Sequence, residues 1–138
     1  MSEEYVIDCD VDPYCPPGWA VEEHRKAGKL QWSEDFVQLW LSDEQQCGAI
    51  QGTELREELA DMSVLNACVL DWLLEHPDLI PEEWKNNSIF FWGTIYRYSD
   101  GELNVRYLCW RGDDMGWCWH FSRLCINWYG HRLAALAA

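Results

Sequence analysis

Ile89-Phe90-Phe91-Trp92-Gly93-Thr94-Ile95-Tyr96-Arg97-Tyr98, then Ser99-Asp100-Gly101, then Leu103-Asn104-Val105-Arg106-Tyr107-Leu108-Cys109-Trp110 is the stretch that decides the fold. Both long runs are rich in β-branched and aromatic residues, and a short glycine-containing connection between two such runs closes a hairpin. A third run, residues 117–122, returns after the loop 111–116. Residues 88–122 therefore read as a three-strand antiparallel meander. Pairing Tyr98 with Glu102 and Trp110 with Trp117 sorts the side chains by the two-residue period of a strand. One face then carries Ile89, Phe91, Gly93, Ile95, Leu103, Val105, Tyr107, Cys109, Cys118 and His120. The other carries Phe90, Trp92, Thr94, Tyr96, Asn104, Arg106, Leu108, Trp110, Trp117, Trp119 and Phe121.

Working upstream, Val64-Leu65-Asn66-Ala67-Cys68-Val69-Leu70-Asp71-Trp72-Leu73-Leu74-Glu75 has an apolar stripe at Leu65, Val69, Trp72 and Leu73, the spacing of a core helix. His76-Pro77 ends it, because proline pushes the preceding residue out of the α region. Thr53 stands as an N-cap before Glu54-Leu55-Arg56-Glu57-Glu58-Leu59, with acids in the first turn. Pro81 opens one further short turn. Phe36-Val37-Gln38-Leu39-Trp40-Leu41 reads as a strand, and Trp19-Ala20-Val21-Glu22-Glu23-His24 as a short strand or helical turn. Residues 1–18, with Pro13, Pro16 and Pro17, read as an acidic extended arm rather than an element. Residues 19–51 supply short strands and turns, 53–76 the helical segment, and 123–138 a C-terminal tail, all within one domain. The expected fold is α+β: a three- to four-stranded antiparallel sheet with one or two helices packed on one face.

The mostly aliphatic face suits the underside of the helix at 64–75. The aromatic face, interleaved with polar groups, is the kind of surface on which sugars, bases or peptide side chains stack. Its candidate binding residues are Trp92, Tyr96, Arg106, Trp110, Trp117 and Trp119. The opposing expectation is that the N-terminal region, with Trp19, Trp32 and Trp40, folds over this face and completes the core. Ten tryptophans exceed what so small a core easily hides, which favours some aromatic surface left for a partner.

The 138 residues carry a formal charge of −14, unevenly placed. Residues 1–83 hold 20 acids and 4 bases, whereas residues 84–138 hold 4 acids and 6 bases. Clustered Lys and Arg for phosphate neutralisation are missing, so direct nucleic-acid binding is not expected. An acidic half either solubilises the chain or meets a basic protein partner. Seven cysteines, an odd number without framework spacing, read as reduced thiols. Met1-Ser2-Glu3-Glu4 is not the start of a signal peptide, and no apolar run approaches the about 20 residues of a membrane span. The expectation is a cytoplasmic protein.

Catalytic and metal constellations are weak. Cys109, Cys118, His120 and Cys125 are zinc-type ligands, but no C-x2-C pair accompanies them; Cys9, Cys15 and His24 form a poorer set. Asp113-Asp114 between glycines reads as a turn rather than an acid–base pair. No G-x-S-x-G, P-loop or G-x-G-x-x-G occurs. No catalytic residue, metal or cofactor is assigned.

Leu65-Asn66-Ala67, Val69-Leu70-Asp71-Trp72-Leu73-Leu74, Ile80-Pro81-Glu82-Glu83-Trp84-Lys85, Phe90-Phe91-Trp92-Gly93-Thr94-Ile95-Tyr96-Arg97 and Val105-Arg106-Tyr107-Leu108 with Trp110 together resemble the pattern of a family of short bacterial proteins to which no activity is attached. Gly18-Trp19 and Val21-Glu22-Glu23-His24-Arg25 extend the resemblance upstream. It departs at Asn127-Trp128-Tyr129-Gly130-His131-Arg132, where the family's tail is rich in Asp, Asn and Trp. The resemblance implies a bacterial or phage-associated origin and no reaction. The function expected is a non-catalytic protein-interaction module, in one form an acidic inhibitor of a basic, nucleic-acid-handling partner. The alternative is a small-ligand or carbohydrate binder using the aromatic face.

Overall fold

The hairpin at the centre of the sequence is the centre of the molecule. In the computed structural model, which describes residues 5–137, the strands in chain order are β1 (Val6–Asp8), β2 (Ala20–His24), β3 (Lys29–Gln31), β4 (Val37–Trp40), β5 (Ile50–Gln51), β6 (Ser88–Phe90), β7 (Thr94–Arg97), β8 (Leu103–Trp110), β9 (Trp117–Arg123), β10 (Asn127–Trp128) and β11 (Arg132–Ala137). Three α-helices are interspersed: α1 (Asp43–Cys47), α2 (Gly52–Glu58) and α3 (Ala67–Glu75). Residues 1–4 of the acidic arm and residue 138 of the tail lie outside the described residues.

Both expected turns have the expected register. Tyr98 N–H donates to the Glu102 carbonyl at 2.8 Å, and Trp110 stands opposite Trp117. Gly101 has φ of 90°, a left-handed conformation that glycine adopts without a Cβ penalty.

The run 89–98 is not one strand, and this corrects the sequence reading. β7 and β6 share one edge of β8, with Tyr96 opposite Asn104 and Ile89 opposite Leu108. Carrying β7's register back would have set Ile89 opposite Arg111. The intervening bulge takes up three residues, an odd number, so Ile89 and Phe90 exchange faces. The cause is the segment before α3. Gly93 N–H donates to the Leu65 carbonyl at 2.9 Å, and a Cβ on Gly93 would lie 2.8 Å from the Asn66 Cα. Only glycine lets the two backbones approach so closely.

The sheet is also larger than expected and not purely antiparallel. It has seven strands in the order β2-β7-β8-β6-β11-β4, with β9 on the other edge of β8. β11 runs parallel to β6 and antiparallel to β4. The supposed tail is therefore an interior strand, with Ala134 and Ala135 buried. Two ribbons complete the fold, β1 with β3 and β5 with β10, so part of the acidic arm is a strand after all.

The helices lie on both faces rather than one. α3 contributes Val69, Leu70 and Leu73 to a core with Ile89, Leu108, Trp32 and Trp84. Leu108 belongs to the aromatic face, so α3 covers that face and not the aliphatic one. The aliphatic face, through Ile95 and Val105, packs instead with Leu55 of α2 and Trp128 of β10. The helix starts also move. Asn66 caps α3, its Oδ1 accepting from Cys68 N–H at 3.0 Å. α2 starts at Gly52, where a Cβ would lie 2.6 Å from Trp128 Nε1.

Candidate functional site

The six candidate residues separate into three places. Trp92 lies in the core beneath the aliphatic face, 4.9 Å from Trp128 between ring centroids. The bulge that flips Ile89 and Phe90 accounts for its departure.

Tyr96, Arg106 and Trp119 form a covered cluster. Arg106 is 1% exposed and forms a two-pronged pair with Asp71 of α3, Nη2 to Oδ1 at 2.8 Å and Nη1 to Oδ2 at 3.3 Å. Its guanidinium lies 4.2 Å from the Trp119 ring and 5.3 Å from Tyr14. Burial opposes its charge, but the Asp71 carboxylate outweighs it and the Arg106 pKa moves up. Tyr96 donates its hydroxyl to the Tyr14 carbonyl at 2.6 Å, and burial, only partly offset by Arg106, pushes its pKa up to about 12. Trp19 closes the cluster edge-on against Tyr96, Trp119 and Phe121. The N-terminal region thus covers this part of the aromatic face.

Trp110 and Trp117 stay half-exposed. Opposite each other at the end of β8 and start of β9, their rings meet at 5.3 Å and 63°. They form one wall of a cleft of about 490 Å³. Met115, 73% exposed in the loop between the strands, stands at its mouth. The opposite wall comes from the end of α3 and the two 3₁₀ turns after it, through Leu74, Pro77, Asp78, Ile80, Glu82 and Lys85. Lys85 Nζ sits 4.0 Å over the Trp110 ring and 2.9 Å from Glu82 Oε2. A cation held by an indole face and a carboxylate is what this wall stabilises. Neither Glu82, in the short turn opened by Pro81, nor Lys85, part of the family pattern, is a candidate from the sequence; their three-residue spacing is the available signal, since it brings opposite charges together on one side of a turn.

The thiols behave differently in different places. Cys68 Sγ lies 3.8 Å from His24 Nε2, and His24 Nδ1 lies 2.8 Å from Thr94 Oγ1. The order imitates a nucleophile, base and orienting group. Its hydrogen bonds work against that role. The Val11 carbonyl, 3.1 Å from Nε2, can only accept, so Nε2 carries the hydrogen and Nδ1 accepts from the Thr94 hydroxyl, whose oxygen in turn accepts from Ala67 N–H. Nε2 in this tautomer cannot take a proton from Cys68. Burial, reinforced by Asp71, Asp8, Asp10 and Asp12, also pushes the Cys68 thiol up to about 11. Cys109 and Cys118 stand directly opposite each other with sulfurs 3.7 Å apart, but His120 on the same face is exposed and bonds to the backbone of Phe121. No group of three or more His, Cys, Asp or Glu among the described residues could hold a metal ion. Nor is any described helix long and apolar enough to cross a membrane. No protein-family model, no curated protein and no solved structure matches the chain.

Proposed function

We propose that this chain is a non-catalytic protein-binding module that receives a basic segment of its partner in the Trp110–Trp117 cleft. The observation that carries the reading is the cation already seated there, Lys85 over Trp110 and against Glu82. A lysine or arginine of a partner meets the same chemistry, with Asp78 close by and Met115 and Trp117 offering apolar contact. Tryptophan is the residue most enriched among interface anchors, and it acts best when half-buried in a pocket that binding then seals. The charge of −14 adds long-range attraction for such a partner. A specific form of the reading is an acidic inhibitor that occupies the nucleic-acid groove of a basic protein, in keeping with the 20 acids among residues 1–83.

The test is affinity capture from host lysate at low and high salt, with wild-type protein beside a Trp110→Ala/Trp117→Ala variant. A basic partner held by the wild type at low salt, and released by either high salt or the double substitution, supports the reading. A partner held equally by the variant places the interface elsewhere. One observation favours a second reading: a cleft of about 490 Å³ is within the range of small-ligand sites. Two edge-to-face tryptophans with Asp78, Glu82 and Lys85 suit a sugar ring. A glycan titration that shifts tryptophan emission in the wild type but not in Trp117→Ala would favour it.

A further inference from the structure

The cysteine pair Cys109–Cys118 lies one rung from the tryptophan pair and points to the opposite face of the hairpin. The two residues are direct cross-strand partners, and their sulfurs are 3.7 Å apart without a bond. Opposed residues of an antiparallel pair have Cα atoms about 4.5–5.5 Å apart, inside the about 4.4–6.8 Å that a disulfide spans. Side-chain rotation alone can bring the sulfurs the remaining roughly 1.7 Å to bonding distance.

The surroundings separate this pair from the other five cysteines. Cys9 and Cys68 are buried near acids, with thiols pushed up to about 12 and about 11, which keeps them protonated and inert. Cys15, Cys47 and Cys125 are exposed and bonded to no other cysteine. The Cys109–Cys118 pair instead has beside it a cation with no carboxylate partner among the described residues. Of the six bases in residues 84–138, Lys85, Arg97, Arg106 and Arg123 are paired with carboxylates. Arg111 and Arg132 have no carboxylate partner among the described residues. Arg111, exposed and two residues after Cys109 in the chain, is the one of the two that acts on both thiols. Burial pushes the Cys109 thiol up as well, but here Arg111 opposes it, and a cationic neighbour favours the thiolate, the form that attacks a disulfide.

We propose that Cys109 and Cys118 are a dithiol–disulfide site that exchanges with small-molecule disulfides. Cys118, the more exposed of the two, attacks one sulfur of the disulfide RSSR as its thiolate and expels RS⁻, leaving a mixed disulfide. RS⁻ takes up the proton that Cys109 gives up. Cys109 then attacks the Cys118 sulfur, the mixed S–S bond breaks, and the second RS⁻ leaves and is protonated from water. One RSSR is reduced to two RSH while the two protein thiols are oxidised to one disulfide. The closed bridge fastens β8 to β9 beside Trp110 and Trp117.

The experiment uses the full chain, reduced, freed of reductant and mixed with oxidised glutathione, then quenched with acid and alkylated. Trypsin cuts after Arg106, Arg111 and Arg123, so the two cysteines fall on separate peptides that only a bridge can join. The expected result is a loss of about two mass units and a linked pair of peptides 107–111 and 112–123. Arg111→Ala is expected to slow closure by about threefold to tenfold. Cys109→Ser should arrest the reaction as a glutathione adduct on Cys118. Glutathione retained on Cys118 in the wild type, or both peptides recovered unlinked while Cys15, Cys47 and Cys125 react, would overturn the assignment. An unchanged rate in Arg111→Ala would remove Arg111 from it.

Discussion

Arg106 over Trp119 and Lys85 over Trp110 are the same contact built in two environments. Each cation lies about 4 Å from an indole ring and about 2.9 Å from a carboxylate oxygen. Arg106 is 1% exposed, its partner Asp71 30%, and the cluster is closed by Tyr14 and Trp19. Lys85 is 28% exposed, its partner Glu82 83%, and the cleft around them stays open. Water decides what each contact is for. Where it is excluded, the charge pair fixes α3 on the sheet and neither partner can be spared. Where it enters, the pair contributes little to stability and can exchange for a ligand.

The comparison is sharpest at the carboxylates. Asp71→Asn leaves the Arg106 guanidinium buried without an anion and is expected to lower stability by about 3–5 kcal/mol in urea denaturation. A loss under about 1 kcal/mol would show that Arg106 is reached by water. Alkali offers a second probe of the closed side. Tyr96 ionises at about 12 in the fold against 10 for the free side chain. Below pH 10 both folded and unfolded chains keep the proton, and the contribution is constant. Above it the unfolded chain loses the proton first, so about 2–3 kcal/mol of stability drains away between pH 10 and 12. In Tyr96→Phe that part of the alkaline decline should be missing, while the part due to Cys9 and Cys68 remains, because their raised pKa values act with the same sign. An identical decline in both proteins would remove Tyr96 as a source.

Gly93 sets which side chains reach the closed cluster, because its bulge fixes the offset between β6 and β7. Gly93→Ala drives a methyl into the Asn66 backbone and is expected to cost about 1–3 kcal/mol, read as a lowered Tm. No change in Tm would mean that the two segments separate freely. Glu82→Gln should do least, altering stability by about 0.5 kcal/mol or less, while weakening capture of a basic partner through the cleft. If it destabilised the fold as much as Asp71→Asn does, the distinction between the two sites would collapse.

Both hairpin registers were legible in the sequence because turn chemistry is local. Ser99-Asp100-Gly101 and the glycines of 111–116 leave few ways to connect their strands, and the observed pairs Tyr98 with Glu102 and Trp110 with Trp117 follow. The end of α3 at His76-Pro77 was legible for the same reason. α1 also carries a local signal, the Ser42-x-x-Gln45 capping box, both halves of which form. In the candidate site, Trp110 and Trp117 could be found because they flank a turn; the wall facing them could not. Leu74, Asp78, Glu82 and Lys85 reach the cleft only through the packing of α3 on a face that alternation alone assigned to the other side.

The sequence by itself determined the α+β class, the central hairpins, the core helix and the concentration of acid in the first part of the chain. These follow from backbone preferences and side-chain periods that act over a few residues. Tertiary structure alone decided three things: the break at Gly93, the insertion of Arg132–Ala137 as a strand parallel to β6, and the covering of Arg106 but not Lys85. Each depends on segments far apart in the chain meeting in space: Asn66 against Gly93, β11 between β6 and β4, Tyr14 over Arg106. Such meetings are selected by the burial of the whole core, and no local pattern encodes them.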